Sequence, residues 1–186
     1  MIRAGSSKAT NNDDAFLKLK IDLRIDLLKN IEKPKILDCF AGDSVLWKTV
    51  EKKTRIQFER ITIDADERYK TDYTMDALKY IQKNELNDFN IIDLDTWGSP
   101  VKYIDALIKK KYKGFVVCTY CSPVSLNPDK ILALNYYGEI YNTIKKKSLL
   151  CKDIGLLFRQ WILSKGVTEI KGITTKKKIY CSFEIK

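Results

Sequence analysis

Apolar residues fall in short blocks along the 186-residue chain, and the spacing inside each block predicts its structure. Phe16, Leu17, Leu19, Ile21, Leu23, Ile25, Leu27 and Leu28 mix alternation with helical spacing. The length of the block and its good helix formers predict a helix, capped within Asn11-Asn12-Asp13-Asp14 and running to about Asn30. Pro34 closes it. Beyond that point apolar strands alternate with helical stretches. Lys35-Ile36-Leu37-Asp38-Cys39, Arg60-Ile61-Thr62-Ile63-Asp64, residues 89–93 and residues 114–119 predict strands, with a shorter one at Tyr73-Thr74-Met75-Asp76. Helices are expected over 45–53, 77–84 and 101–110, and over most of 129–164 with a break near Lys147-Ser148. Residues 167–173 and 178–185 predict a closing antiparallel hairpin around Thr174-Thr175-Lys176-Lys177. Five strand–helix alternations imply an α/β fold, a mostly parallel sheet with helices on both faces. Residues 1–12, small and polar, are expected to be a flexible tail, and 13–186 one domain.

Composition narrows the setting. With 45% apolar and 31% charged residues, the chain reads as globular, and no apolar run approaches the roughly 20 residues that span a bilayer. The first residues lack the apolar centre of a signal peptide, so a cytoplasmic protein is expected. Five cysteines, an odd number scattered through apolar runs, suit reduced thiols better than a disulfide framework. Cys118-x-x-Cys121 has no second pair at metal-ligand spacing, and the chain has no histidine, so no metal site is expected. The lack of histidine also excludes Ser-His-Asp and Cys-His catalysis and leaves proton handling to carboxylates, lysine, tyrosine or solvent. A net charge of +10 favours a polyanionic partner, although solvated lysine faces give the same balance.

The most informative segment is Asp93-Leu94-Asp95-Thr96-Trp97-Gly98-Ser99-Pro100, entered from Phe89-Asn90-Ile91-Ile92. An apolar strand ends in two carboxylates, an aromatic ring, a glycine and a proline, at the sheet edge where open α/β folds bind ligands. Asp93 and Asp95, two apart, point to one side in extended backbone. An acid that accepts a hydrogen from an amine, beside a ring that stacks on a base, suits chemistry on an exocyclic nucleobase amine. The plain alternative is a strand-to-loop turn with Asp as cap and Gly-Ser-Pro as punctuation.

With the closing hairpin, the alternation resembles the Rossmann-like, seven-stranded layout of the class I S-adenosylmethionine-dependent methyltransferases. Asp38-Cys39-Phe40-Ala41-Gly42-Asp43-Ser44 resembles that family's Asp-x-Phe-x-Gly-x-Gly loop, with the later glycine missing. The resemblance implies S-adenosyl-L-methionine as cofactor, held by Asp38, Phe40, Ala41 and Gly42, with Asp38 facing its ammonium group. It further implies ribose contact by Asp64, with Asp66 as competitor, and approach of Asp76 to the adenine amine, with Asp93 on the same side. Asp93-Leu94-Asp95-Thr96-Trp97-Gly98-Ser99-Pro100 resembles the Asp-Leu-Asp-Pro-Phe/Tyr-Gly-Ser-Pro stretch of tRNA guanine N2-dimethyltransferases. By that likeness Asp95 orients the target amine and Trp97 stacks on the flipped base. Thr96 stands where that family has proline.

Those enzymes carry a C-terminal region for tRNA recognition, and the sequence is expected to hold the catalytic domain without it, so a minimal enzyme, or one working with a protein partner, is the expectation. Nucleic acid, RNA ahead of DNA, is the expected substrate. Its phosphates are assigned to Lys176, Lys177 and Lys178, with Arg3 and Lys8 if the tail folds over the pocket. Lys109-Lys110-Lys111-Tyr112-Lys113 is placed at the opposite sheet edge as a solvated helix end. Two other readings stay open: a catalytically silent methyltransferase-like binding module, and a small-molecule or protein methyltransferase.

Overall fold

The computed structural model describes residues 14–29, 31–121, 130–138, 140–143, 145, 154–174 and 178–186. Helix α1 (Asp14–Leu28) leads into β1 (Lys35–Asp38), α2 (Val45–Thr54), β2 (Glu59–Asp64), β3 (Tyr73–Thr74) and α3 (Ala77–Lys83). There follow β4 (Ile91–Asp95), α4 (Val101–Lys109), β5 (Gly114–Cys121), α5 (Lys130–Tyr137), α6 (Ile140–Thr143), α7 (Ile154–Ser164), β6 (Ile170–Thr174) and β7 (Lys178–Ile185). The strands form one seven-stranded sheet in the order β3-β2-β1-β4-β5-β7-β6. β7 runs antiparallel to both its neighbours, and the other pairings are parallel. The expected α/β architecture, closing hairpin included, is what the chain adopts.

Side chains alternate between the two faces of the sheet, so the strand sequences divide the core in two. Ile36, Ile91 and Val117 join Ile21, Leu27 and Leu28 of α1 and Trp47 and Val50 of α2 on one face. Leu37, Ile63, Ile92, Leu94 and Val116 pack on the other against α3, α4, α5 and α7. The register sets Asp38 of β1 beside Asp93 of β4. Asp93 and Asp95 therefore share the face covered by α1 and α2, as their spacing predicted.

Several boundaries differ from expectation: β5 runs on to Cys121, β6 spans Ile170–Thr174 with Thr174 taken from the expected turn, and two other differences have visible causes. β4 begins at Ile91 and runs to Asp95, two residues further on, because Phe89 N–H closes a turn onto Leu86 O and Asn90 docks on Lys35. The helical stretch after β5 breaks at Gly138, whose φ of 59° and N–H to Leu134 O end α5; Lys147 and Ser148 lie outside the described residues. Cys118 and Cys181 face each other across β5 and β7 with sulfurs 3.5 Å apart, as free thiols. No helix among the described residues is long and apolar enough to cross a membrane.

Candidate active site

The chain leaves β1 for β2 and β3 on one side and returns to β4 on the other, so the carboxyl ends of β1 and β4 flank a topological switch point. Three acids end there on a common face: Asp38, Asp93 and Asp95. Like charges so close need cations. α1 supplies two of them, Lys20 and Arg24, one helical turn apart. That rise of about 6 Å over four residues matches the roughly 6.6 Å between strand residues two apart.

Arg24 is buried, with 1% exposure, and grips Asp93 from both ends of its fork, Nε to Oδ2 at 2.7 Å and Nη2 to Oδ1 at 2.7 Å. The Trp47 indole N–H adds a bond to Oδ2 at 2.7 Å. Burial pushes the Asp93 carboxyl up, and the guanidinium opposes this, while Arg24 itself is raised. The bidentate contact is that of an ionised pair. Asp93, expected to touch the cofactor, is instead a closed buried partner of α1 and α2. Its assignment as a cofactor ligand is corrected on that ground.

Asp95 sits one pleat nearer the edge. Lys20 Nζ lies 2.8 Å from each of its oxygens, and the Thr119 hydroxyl of β5 donates to Oδ1. Burial raises this carboxyl, but Arg24, Lys20 and Thr119 outweigh it and hold it below the usual range. Asp38 is treated otherwise. Its nearest cation is Arg60 Nη1 at 3.5 Å, a buried nitrogen without a hydrogen-bond acceptor. Burial first, and then the Asp93 charge, push the Asp38 carboxyl up to about 8. Asp93 is raised as well, so of the three acids Asp95 alone is held below the usual range, and Asp38 is the one with the weakest bond to a cation.

These groups open onto a cleft of about 250 Å³ lined by Phe16, Lys20, Asp38, Ala41, Asp95 and Tyr180 among others. Phe40 and Lys178 belong to the same wall. The turn after β1 is shaped by Gly42, at φ 48°, and by Ser44, at φ 58° without being glycine. Gly42 N–H donates to Asp64 Oδ2 at 3.0 Å, and Asp66 N–H donates to Oδ1 at 2.9 Å. Asp64 at the tip of β2 is thus tied to the glycine turn, with one lone pair free on each oxygen. Asp66, its competitor, is half-buried and paired with Arg68, which lowers its carboxyl to about 2. Asp76 caps α3 by accepting Lys79 N–H at 3.0 Å.

Past β4, Thr96 is buried and its hydroxyl reaches Thr119 O at 3.0 Å, while Gly98 O accepts Cys121 N–H at 2.8 Å. Hydrogen bonds to β5 do the fixing that a proline ring would do. Trp97 stands 81% exposed at the rim, with Lys178 Nζ 6.0 Å from its ring. Asp38, Phe40, Ala41, Asp95 and Lys178 meet at one cleft; Gly42, Asp64 and Asp76 follow along the same edge. Arg3, Lys8, Lys176 and Lys177 lie outside the described residues. Among the described residues no group of three metal-ligating side chains assembles.

Sequence reasoning missed Lys20, Arg24, Thr119 and Tyr180. Arg24 was findable, because it lies in the same helical stripe as Leu17, Ile21 and Leu28, and a cation there requires a buried acid.

Several solved structures with the same architecture are methyltransferases or candidates for that activity, and another is described as a possible exported protein of Bordetella parapertussis. The methyltransferase candidate yhhF of Escherichia coli superimposes with a TM-score of 0.55 at 12% identity, covering 100% of this chain and 91% of that one. HI0767 of Haemophilus influenzae, a methylase candidate, gives 0.53 at 13% identity over 89% of this chain and 87% of that one. This is the class I methyltransferase fold. The plantazolicin methyltransferase BpumL, solved with SAH, shares it at a TM-score of 0.51, 10% identity, and coverage of 93% and 84%. No protein-family model matches the chain. In sequence, an alignment 108 positions long and 31% identical matches 52% of this chain to the tRNA (guanine(26)-N(2))-dimethyltransferase of Thermoplasma volcanium. The chain spans about a third (31%) of the length of that relative.

Proposed function

We propose that the protein is an S-adenosylmethionine-dependent methyltransferase acting on an exocyclic amine of a nucleic-acid base, with guanine N2 of tRNA the first substrate to test. The observation that carries this is the ionised Asp95 carboxylate, held at the end of β4 in one cleft with Asp38 and beside the exposed Trp97. The donor set fits the cofactor. Asp64 offers two acceptor lone pairs to vicinal hydroxyls, and Asp38, poorly bonded by Arg60, offers a carboxyl to an ammonium group. S-adenosylmethionine, when bound, supplies an electrophilic methyl group.

The chain's own residues do the rest by placement. Asp95 accepts one N–H of the target amine and so turns the nitrogen lone pair away from itself. Trp97 offers a face on which the flipped base stacks. Thr96, bonded to Thr119 O, fixes the loop that joins them. Lys178, and the Lys176 and Lys177 beside it in sequence, supply phosphate contacts, in keeping with the net charge of +10. The 31% match to the Thermoplasma enzyme puts RNA ahead of DNA.

Tritium transfer from labelled cofactor to bulk tRNA, to DNA and to protein tests this directly. Counts in tRNA that disappear in Asp95→Ala, with cofactor affinity kept, support the assignment; Asp64→Ala should mainly weaken cofactor binding. Near wild-type turnover by Asp95→Ala removes Asp95 from the chemistry. A second reading, a silent binding module, is favoured by the Lys20 ammonium resting on Asp95. It predicts cofactor binding by calorimetry without transfer to any of the three acceptors.

A further inference from the structure

A carboxylate has about four acceptor positions, two on each oxygen. On Asp95, Lys20 Nζ takes one on each oxygen at 2.8 Å, and the Thr119 hydroxyl takes the second on Oδ1. One position remains, on Oδ2, on a side chain that lines the cleft. Lys20 is itself fixed from two sides. It belongs to α1, which Arg24 pins to Asp93 one turn further on, and its ammonium lies 5.6 Å from the Tyr180 ring centroid. Thr119 is fixed by the β5 ladder, opposite Asp95 on one side and Tyr180 on the other.

We propose that Lys20 and Thr119 are positioning residues for amine methylation: together they keep Asp95 anionic and leave it a single acceptor site, aimed at one N–H of the substrate amine. This rests on the methyltransferase reading above. An acid with two open sites on one oxygen could hold the amine in more than one rotation, and only one rotation presents the nitrogen lone pair in line for transfer. A protonated acid could instead donate to that lone pair and block it. Lys20 works against both failures. The groups that face Asp95 are Lys20 and Arg24 of α1, Asp38 of β1, Asp93 of β4, Thr119 of β5, and Lys178 and Tyr180 of β7, with Arg60 of β2 beyond them on Asp38. Among them Lys20 alone bonds both Asp95 oxygens.

The test compares the full chain with Lys20→Met, Lys20→Arg and Thr119→Val in two measurements. Carbon-13 NMR titration of the Asp95 carboxyl needs no substrate; kcat against pH uses labelled cofactor and bulk tRNA. Lys20→Met is expected to raise the Asp95 midpoint by at least one pH unit and to move the acidic limb of kcat with it, while KM for cofactor changes less than threefold. Lys20→Arg should restore both, and Thr119→Val should shift both in the same direction by less. Should Lys20→Met not fold, the smaller shift in Thr119→Val carries the test. An unmoved titration and kcat profile overturn the proposal. So does faster turnover in Lys20→Met, which would make Lys20 a plug. Absence of transfer by the wild-type chain brings down the methyltransferase reading and this one with it; wild-type transfer beside an unmoved titration brings down this one alone.

Discussion

Replacing Arg24 by Met keeps the length of the side chain and removes its charge. Asp93 is then left 1% exposed with only the Trp47 N–H to meet it. Breaking a buried pair in this way costs about 3–5 kcal/mol, against total stabilities of about 5–15 kcal/mol. The orphaned carboxylate has one escape, which is to take up a proton. Its unfolded pKa is about 3.9, so protonation at pH 7 crosses about three units at about 1.36 kcal/mol each, a ceiling of about 4 kcal/mol. At pH 5 the same ceiling is only about 1.5 kcal/mol. The loss on Arg24→Met should therefore be large at neutral pH and shrink as pH falls towards 5.

Urea unfolding at pH 5, 6, 7 and 8 measures this, with tryptophan fluorescence as probe. Adding Asp93→Asn to Arg24→Met should recover most of the loss at pH 7, because the amide needs no proton and its oxygen still accepts from Trp47. A penalty below about 1 kcal/mol at pH 7 would mean that the pair contributes no more than an exposed one. A penalty independent of pH would place its cause in packing, not in the buried charge. Either result refutes the account of α1 as the cover that charge pairing holds down.

Three further outcomes are expected. Because Asp38 is protonated below about pH 8 and must ionise to meet an ammonium group, cofactor binding should release a proton and tighten with rising pH up to about 8. Calorimetry in buffers of different ionisation enthalpy that finds no proton release contradicts it. Trp97→Ala should leave stability within about 0.5 kcal/mol, since the ring is 81% exposed. It should also weaken nucleic-acid binding by about 1–3 kcal/mol, or 5- to 150-fold in a filter-binding titration; unchanged binding would remove the stacking role. Ser44→Gly relieves a left-handed residue worth about 1–2 kcal/mol, partly offset by unfolded-state entropy, so stability should rise by about 0.5 kcal/mol. A falling Tm would mean that the side chain is held by contacts stronger than its strain.

The parallel strands were legible because a strand buried on both faces reads as an unbroken apolar run: Ile36-Leu37, Ile91-Ile92 and Phe115-Val116-Val117-Cys118 are such runs. The end of β4 was not, since two acids look like the edge of a strand. What lets Asp93 and Asp95 continue it inside the protein comes from residues 69 and 75 positions away, beyond any local window. The acids of the candidate site were visible from their places at successive strand ends. Their roles were not, because role depends on partners. Asp93 and Asp95 differ by one pleat and each accepts three hydrogen bonds, but Asp93 is buried beneath Arg24 and Trp47 while Asp95 lines the cleft. Tyr180 could not be foreseen as cleft lining, since only the register of β7 on β5 brings it beside Thr119.

The charges at the switch point nearly cancel: Asp38, Asp93 and Asp95 face Arg24, Lys20 and Arg60. Cancellation is uneven in a way that bears on function. Asp93 has three good hydrogen bonds and Asp95 three, whereas Asp38 has one cation at 3.5 Å and its carboxyl is pushed up to about 8. A cationic ligand entering the cleft finds one acid that gains by ionising against it, and that acid lies at the end of β1 beside the glycine turn. Asp95 at the end of β4, the proposed amine acceptor, is held below the usual carboxylate range and does not compete for the same charge. In the proposed reaction two acids one strand apart would have separate tasks, because α1 places its cations on β4 and leaves β1 short. Moving a cation to β1 would merge them, and a chain with α1 shifted by one residue would have neither.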